Sequence, residues 1–113
     1  MRPREHSHRL PPEDYEGDVT VAFTACIEDR HRVLAEAKMV SRLLPMLEEA
    51  VTQFACKVPI YCFMPDHLHV LVKGVNEGSR PKLAMDRFKH ASAMFFYRRN
   101  AGFDGKRISM TSL

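Results

Sequence analysis

The alternation of strand-like and helix-like segments along the chain predicts an α+β fold, in which an antiparallel sheet carries its helices on one face. The prediction depends on a segment with a period of two near the N-terminus, on two helical stripes of apolar residues, and on two apolar segments separated by Met-Pro-Asp. With 113 residues, the chain is long enough for one domain with one hydrophobic core.

The composition is that of a globular protein, with 45% apolar and 27% charged residues. The formal charge of +3 is compatible with a nucleic-acid partner without requiring one. Cys26, Cys56 and Cys62 form no CxxC pair and lie among apolar residues, so we expect buried, reduced thiols in a cytosolic protein; a disulfide or a zinc site is the alternative. No apolar run approaches the ~18 residues of a membrane span, and the N-terminal segment lacks the apolar stretch of a secretory signal.

The first strand is predicted over residues 18–27. Residues 1–17, which precede it, are polar, basic and proline-bearing, and we interpret them as an N-terminal arm. In the strand, apolar side chains alternate with smaller or polar ones, which is typical of a sheet with one covered face: Val19, Val21, Phe23, Ala25 and Ile27.

A first helix should follow this strand. The apolar residues that recur at helical spacing are Val40, Leu43, Leu44, Leu47, Val51 and Phe54. Pro45 falls inside the stripe, so the sequence predicts either a kink or a helix whose regular part begins near the proline.

Two further strands are predicted as a hairpin. Residues 57–64 are short, apolar and aromatic, which indicates a buried strand. Pro65 and Asp66 interrupt this segment, because proline cannot donate a ladder hydrogen bond, and residues 67–72 resume strand character. The two strands are close enough in sequence to pair around the Met-Pro-Asp turn.

A second helix is predicted from Pro81 to Asn100, after a glycine-bearing loop over 73–80. Its apolar stripe is Ala84, Phe88, Ala91 and Phe95. The order β-α-β-β-α is that of a ferredoxin-like, or RRM-like, fold with the last strand and helix truncated or altered. We therefore divide the chain into an arm (1–17), a domain (18–105) and a divergent tail (106–113).

His67 and His69 are the candidate metal ligands. On a strand, residues i and i+2 face the same side about 6.5–7 Å apart, so both imidazoles can reach one ion. Asp66 beside them could hydrogen-bond a ring nitrogen or a coordinated water. Imidazole suits Mn²⁺, Zn²⁺ or Cu²⁺ better than Mg²⁺, although water or carboxylate in the remaining positions accommodates Mg²⁺. The alternative is two strand histidines that face solvent; His6 and His8 have the same spacing in the arm, and we interpret that pair as incidental.

The residues around this pair resemble a known family. Tyr61–Gly74, with the sequence YCFMPDHLHVLVKG, is similar to the signature of single-tyrosine HUH transposases, in which a His-hydrophobic-His strand follows Met-Pro-Asp or Met-Pro-Asn. Residues 8–15 resemble the start of the REP-associated branch, residues 23–30 resemble its first strand, and residues 96–100 resemble the end of the helix after the metal strand. The resemblance spans about residues 6–105.

The resemblance implies a DNA-nicking and DNA-joining enzyme of transposition and recombination. In the family, a tyrosine hydroxyl attacks a phosphodiester of single-stranded, hairpin-forming DNA, which gives a 5′-phosphotyrosine and a free 3′-OH. Carried over to this sequence, His67 and His69 are ligands of a divalent metal, Mg²⁺ or Mn²⁺, that acts as a Lewis acid, and Asp66 supports them. The resemblance also implies a homodimer that joins its sheets, no membrane partner, and a location in the bacterial cytoplasm with the nucleoid.

The family's catalytic tyrosine lies on a later helix, beyond the fourth strand, and often brings a third metal ligand; this sequence stops before that helix. Tyr97 lies on an earlier element, so we expect packing or phosphate contact from it rather than nucleophilic attack, and Tyr15 and Tyr61 do not match the family position either. Codons for Lys-Asp-Phe-Tyr-Asp, read one base later, can encode the Arg-Ile-Ser-Met of residues 107–110. We therefore hypothesise that a frameshift or truncation removed the last strand and the catalytic helix. An out-of-frame Tyr-Ile-x-x-Asn-Pro segment beyond codon 113 would support this.

Basic residues are the candidate DNA contacts, namely Arg80, Lys82, Arg87, Lys89, Arg98 and Arg99, with Arg2, Arg4 and Arg9 in the arm. A solvated helix face is the alternative for the helical set. Phe96 and Tyr97 would stack on bases if exposed, and pack in the core otherwise. Three functions stay open: a DNA-nicking transposase domain, a catalytically inactive DNA-binding remnant of such a transposase, and a metal-binding ferredoxin-like protein unrelated to DNA.

Overall fold

The sheet of the protein has four antiparallel strands. The computed structural model describes residues 16–98 and 110–112. Its strands are β1 (Thr20–Ile27), β2 (Cys56–Met64), β3 (His67–Gly74) and β4 (Met110–Ser112). They lie in the order β2-β3-β1-β4. This order, with two helices on one face, confirms the predicted ferredoxin-like α+β fold.

The helices are α1 (Ala37–Gln53) and α2 (Pro81–Arg98), and 3-10 turns at Glu28–Arg30 and Val33–Ala35 connect β1 to α1. Leu43 and Leu47 of α1 are buried, as the predicted stripe requires. The helix begins at Ala37 and continues through Pro45. The prediction that the regular part begins near the proline is therefore wrong, because packing of the stripe outweighs the missing hydrogen bond.

Helices cover one face of the sheet, and the other face differs from it in its side chains and exposure. On β3, Leu68, Val70 and Val72 are buried in the core, and the alternate side chains point the other way. Both helices pack against the Leu68 side, which we call the helix face. The opposite side, which we call the open face, presents the residues that pair in register with His67, His69 and Leu71. No helix covers the open face within the described ranges.

Strand β2 lies at an edge of the sheet, and most of its side chains are exposed. The expectation of a buried strand is wrong here, because apolar composition alone does not distinguish an edge strand with one open face from a central one. Cys62 is exposed for the same reason, whereas Cys26 and Cys56 are buried as expected.

The core line of α2 is shifted from the predicted stripe. Ala84 and Phe88 are fully buried as predicted, but the line continues through Ser92 and Phe96. Phe95 only packs against the core from its margin. The two lines differ at one step, which is three residues from Phe88 to Ala91 or four from Phe88 to Ser92. Both spacings fit the helical period, so the sequence alone did not decide between the two lines.

A fourth strand is present in the tail. Met110–Ser112 pair antiparallel with the outer edge of β1, and Met110 is buried in the core. The hypothesis that the last strand was removed is therefore wrong, whereas a strand of only three residues agrees with the prediction of a truncated or altered last strand. Its backbone satisfies ladder partners on β1 that would otherwise have none in the sheet. Residues 106–109 of the predicted tail and residues 1–15 of the arm, including His6 and His8, lie outside the described residues.

One end of the sheet is closely packed. A Cβ added to Gly74 would lie 1.9 Å from the carbonyl oxygen of Gly17, so only glycine fits there. Nearby, the buried Ser79 hydroxyl accepts hydrogen bonds from the amides of Val75 and Asn76 and donates one to the carbonyl of Ala55. This hydroxyl therefore joins the end of β3, the beginning of β2 and the loop before α2.

Candidate metal centre and nucleic-acid face

His67 and His69 project together from the open face of β3. Their ring centroids are 4.7 Å apart, and the ring planes are nearly perpendicular, at 84°. The hydrophobic pattern explains the arrangement, because Leu68 and Val70 must enter the core and so turn both histidines outward. The two imidazoles are close enough to share one ion.

Asp66 and Arg30 hold the first imidazole. Nδ1 of His67 donates a hydrogen bond to Asp66 Oδ1 at 2.7 Å, and Nε of Arg30 donates to Asp66 Oδ2 at 2.9 Å. The Arg30 hydrogen bond, followed by the His67 hydrogen bond, lowers the pKa of Asp66 to about 2. The carboxyl group is therefore ionised at neutral pH and accepts from both partners.

The ionised carboxylate fixes which nitrogen of His67 carries the proton. A carboxylate can only accept, so Nδ1 of His67 must be protonated, and the lone pair of Nε2 is directed away from Asp66. Nδ1 of His69 lies 3.1 Å from Oγ1 of Thr24. Because a hydroxyl donates or accepts equally well, Thr24 permits the same tautomer at His69.

The Pro65-Asp66 turn that carries the site is held by two backbone contacts. The amide of Ile27 donates to the Asp66 carbonyl, and the amide of Leu34 donates to the Pro65 carbonyl, each at 2.9 Å. Arg30 has a left-handed backbone, with φ of 56°, which is uncommon for a non-glycine residue. Arg30 adopts this conformation where the chain leaves β1, and the Arg30 side chain reaches Asp66.

Register places further polar and sulfur-bearing side chains beside the pair. Thr24 and Cys62 are opposite His69 on the two neighbouring strands, and Cys26 and Met64 are opposite His67. Within residues 16–98 and 110–112, however, no three His, Cys, Asp or Glu side chains converge as a metal-binding group. The described residues thus offer two imidazole nitrogens, which fit an ion that keeps open positions for other ligands.

The predicted DNA contacts that the structure describes lie on or before α2, which packs on the helix face. Several of them are engaged with acids: Arg80 with Glu16 at 3.7 Å, and Lys82 and Lys89 with Asp86 at 3.0 and 3.5 Å. Arg87 and Arg98 are exposed on α2, and Arg99 lies outside the described residues.

Neither tyrosine of the described ranges faces the histidine pair. Tyr61 is opposite Val70 in the β2–β3 register, so it points to the helix face at the sheet edge. Tyr97 is on α2 and is 67% exposed. Phe96, its neighbour, is buried and so has no free face for a base.

Sequence reasoning missed Thr24 and Arg30. The alternation of β1 places Thr24 on its outward face, but only the β1–β3 register brings it to His69. Arg30 follows a strand end with no motif of its own, and its left-handed conformation is not visible from composition. Pairing register was the missing information in both cases.

Comparison with solved structures shows the class of fold. The chain is similar to a structure described as the REP-associated tyrosine transposase bound to a REP hairpin, with a TM-score of 0.54 and 15% sequence identity. The similarity covers 95% of this chain and 62% of that one, so this chain spans less than two thirds of its structural neighbour. No curated protein sequence matches the chain.

The family follows from the sequence profile described as "Transposase IS200 like", which matches residues 17–109. The chain belongs to this transposase family, whose members cleave and join DNA in transposition and recombination and are generally metal-dependent. Among the described helices, none has the length and apolar character needed to cross a membrane.

Proposed function

We propose that this chain is a DNA-binding transposase domain in which His67 and His69 hold a divalent metal for cleavage and strand transfer on single-stranded DNA. The observation that carries the proposal is the pair of imidazoles 4.7 Å apart on the open face, with Nδ1 of each ring already engaged. Both Nε2 atoms are thereby left for an ion. Membership of the transposase family supports the choice of DNA as the substrate.

Mg²⁺ or Mn²⁺ is the proposed ion. Two neutral imidazoles fit Mn²⁺ directly, and Mg²⁺ is accommodated when water or phosphate oxygens fill the other positions. The bound ion would supply Lewis acidity at a phosphodiester. The chain's own contribution is orientation: Asp66 and Thr24 fix the two rings, and Arg30 keeps the Asp66 carboxylate in place.

Cationic residues outside the histidine pair are proposed phosphate contacts: Arg80, Lys82, Arg87, Lys89, Arg98 and Arg99. Their support is their charge and their grouping on and around α2. A hairpin-forming strand that contacts these residues and also reaches the histidines must pass around the sheet, since α2 lies on the helix face. We place the protein in the bacterial cytoplasm with its DNA.

A homodimer that joins two sheets is also proposed. Strand β2 supports it, because this strand is an edge and exposes Tyr61 and Met64. Sedimentation velocity tests it: we expect a dimer for the wild-type chain and a monomer for Tyr61→Lys, which puts a charge at the edge. A monomeric wild-type chain at all accessible concentrations would contradict the dimer.

A catalytically inactive DNA-binding domain is the second candidate. It is favoured by one observation, namely that Tyr61 and Tyr97 both lie off the histidine face. In this case the metal and DNA sites persist without a nucleophile from the described residues. A metal-binding protein unrelated to DNA has no comparable support, given the family.

The test is a cleavage assay on hairpin-bearing single-stranded DNA with Mn²⁺ or Mg²⁺. We expect metal-dependent DNA binding by the wild-type chain, and loss of the metal dependence in a double variant, His67→Ala with His69→Ala. Cleavage with a covalent adduct on a denaturing gel requires a tyrosine from outside the described residues or from a second chain, and its appearance would show an active domain. Binding without any adduct favours the inactive domain. No binding of single-stranded DNA at low salt would reject both candidates. Loss of the adduct in Tyr97→Phe would show that Tyr97 is the nucleophile after all.

A further inference from the structure

Two lysines face each other at one end of the open face. Lys57 of β2 is directly opposite Lys73 of β3, two side chains along from His69 on the same face of β3. Like charges in directly opposite positions destabilise a sheet. Asp18 offsets part of this, since its Oδ1 lies 3.4 Å from Nζ of Lys73. A phosphate between the two ammonium groups would offset the repulsion more fully.

An apolar depression lies between these lysines and the histidines. It has a volume of about 130 Å³, and its side chains include Ile60, Leu71 and Ala22, with His69 and Thr24 at one end. Ile60 is 62% exposed, although it is a large aliphatic residue in a strand. An exposed aliphatic surface beside cations offers van der Waals contact to the flat face of a base.

The spacing of these features suits a single strand of nucleic acid. Four residues separate His69 from Lys73 on β3, which corresponds to about 13 Å at ~3.3 Å per residue. A stacked strand, at about 3.4 Å per nucleotide, covers that length in roughly four nucleotides, and a stretched strand needs fewer. A duplex is too wide for a depression of about 130 Å³.

We propose that single-stranded DNA lies along β3 on the open face, with a base in the Ile60–Leu71 depression and a phosphate held by Lys57 and Lys73. This rests on the proposed function and extends it, because it assigns a substrate site that neither the histidine pair nor the α2 cations supply. Lys73 is on a central strand, so its reach is confined to this face. Lys57 is at the sheet edge, where it also borders the groove between α1 and β2.

A tryptophan reporter tests the base site. The sequence contains no tryptophan, so Ile60→Trp introduces a single fluorophore into the depression. Leu83→Trp places the same fluorophore on the exposed surface of α2, on the helix face. We expect an oligothymidylate to quench the Ile60→Trp emission saturably, whereas Leu83→Trp reports on strands bound at the α2 cations. Quenching confined to Leu83→Trp would overturn the proposal.

Lysine variants test the phosphate site by fluorescence anisotropy with the same oligothymidylate. For a single strand, each phosphate contact contributes a salt slope of about 0.7, which corresponds to roughly a 5-fold change in affinity near 0.1 M salt. Because both lysines hold the same phosphate, we expect the double variant, Lys57→Ala with Lys73→Ala, to lose about 5-fold in affinity and to reduce the slope by about 0.7, and each single variant to lose part of this. Lys38→Ala, which removes an exposed lysine on α1, is the matched control and should bind like the wild type.

The outcomes separate this inference from the proposed function. If the wild-type chain binds the oligonucleotide but neither lysine variant changes the affinity or the salt slope, the site along β3 is wrong, while a DNA-binding transposase domain still stands. If the wild-type chain does not bind single-stranded DNA at low salt, both are wrong. A loss confined to the lysine variants, with quenching at Ile60→Trp, supports the site.

Discussion

At the scale of single residues, Asp66 orients His67, one of the two proposed metal ligands. Its carboxylate accepts from Nδ1 of His67 and from Nε of Arg30, and its pKa is lowered to about 2. It therefore cannot donate to the ring at neutral pH, and Nε2 of His67 keeps its lone pair. A neutral amide at position 66 would lack the negative charge, and it could donate a hydrogen bond to Nδ1 of His67 as well as accept one.

Asp66→Asn should weaken Mn²⁺ binding by roughly 10–100-fold, the range typical of groups that orient metal-bound histidines. The reason is that the amide can turn its NH₂ group toward Nδ1 of His67, which moves the ring proton to Nε2. Electron paramagnetic resonance of free Mn²⁺ measures the affinity. Asp86→Asn, an equal change within the ion pairs of α2, should leave it unaltered. If Asp66→Asn binds Mn²⁺ as tightly as the wild type, Asp66 does not orient His67 for metal binding.

At the other end of β3, Asp18 should weaken DNA binding, because its carboxylate competes with a DNA phosphate for the ammonium group of Lys73. Asp18→Asn should tighten binding of an oligothymidylate, by up to the roughly 5-fold that one phosphate contact is worth near 0.1 M salt. The ion pair between exposed side chains is itself weak, so the fold should be unaffected. Glu48→Gln, which makes the same charge change on α1, is the control for net charge. Equal gains in the two variants would show a general charge effect rather than a local one.

At the scale of elements, the ends of strands and helices are joined by a few buried polar contacts. The Ser79 hydroxyl is fully buried and bonds to the amides of Val75 and Asn76 and to the Ala55 carbonyl. Each buried group that loses its partner costs ~1–3 kcal/mol. This contact therefore fixes the loop from which α2 and the end of β3 take their positions.

Ser79→Ala should lower the free energy of unfolding by about 1–3 kcal/mol, because three part-buried hydrogen bonds of the Ser79 hydroxyl are lost. Urea denaturation measures the change. Ser41→Ala removes a hydroxyl that donates to Lys38 on the exposed surface of α1, and it should cost less than about 0.5 kcal/mol. Equal effects in the two variants would contradict the special role of Ser79.

Pro45 destabilises α1, since it lies inside the helix, which runs from Ala37 to Gln53, and cannot donate a backbone hydrogen bond. Pro45→Ala should raise the free energy of unfolding by about 2 kcal/mol: the helix gains ~3 kcal/mol, and the more flexible unfolded chain takes back up to ~1 kcal/mol. The same denaturation experiment measures it, with Glu49→Ala as a control within about 0.5 kcal/mol of the wild type. A destabilised Pro45→Ala variant would mean that the proline is needed where it packs.

At the scale of the whole molecule, the sheet separates two kinds of surface. The histidine pair, the apolar depression and Lys73 lie on the open face, whereas the cations of α2 lie on the helix face. The order of elements and the outward direction of His67 and His69 could be predicted from the sequence, because both depend on local periodicity. The contacts of Thr24 and Lys57 could not, because they depend on which strands are neighbours and in which register.

The same limit explains the errors in the prediction. Residues 57–64 are as apolar as a central strand, and only the sheet order shows that β2 is an edge and that Cys62 is exposed. Met110–Ser112 have little strand character of their own, and they form β4 because the edge of β1 supplies partners. Long-range pairing decided these features, and a single sequence carries little information on it.

The proposed function depends on His67 and His69 sharing one divalent ion on the open face. Anomalous diffraction from a crystal of the protein soaked in Mn²⁺ tests it most directly. We expect one manganese peak within about 2–2.5 Å of Nε2 of both histidines, with Asp66 still bonded to Nδ1 of His67. A peak bound to only one of the two rings, or manganese bound only elsewhere on the protein, would contradict it.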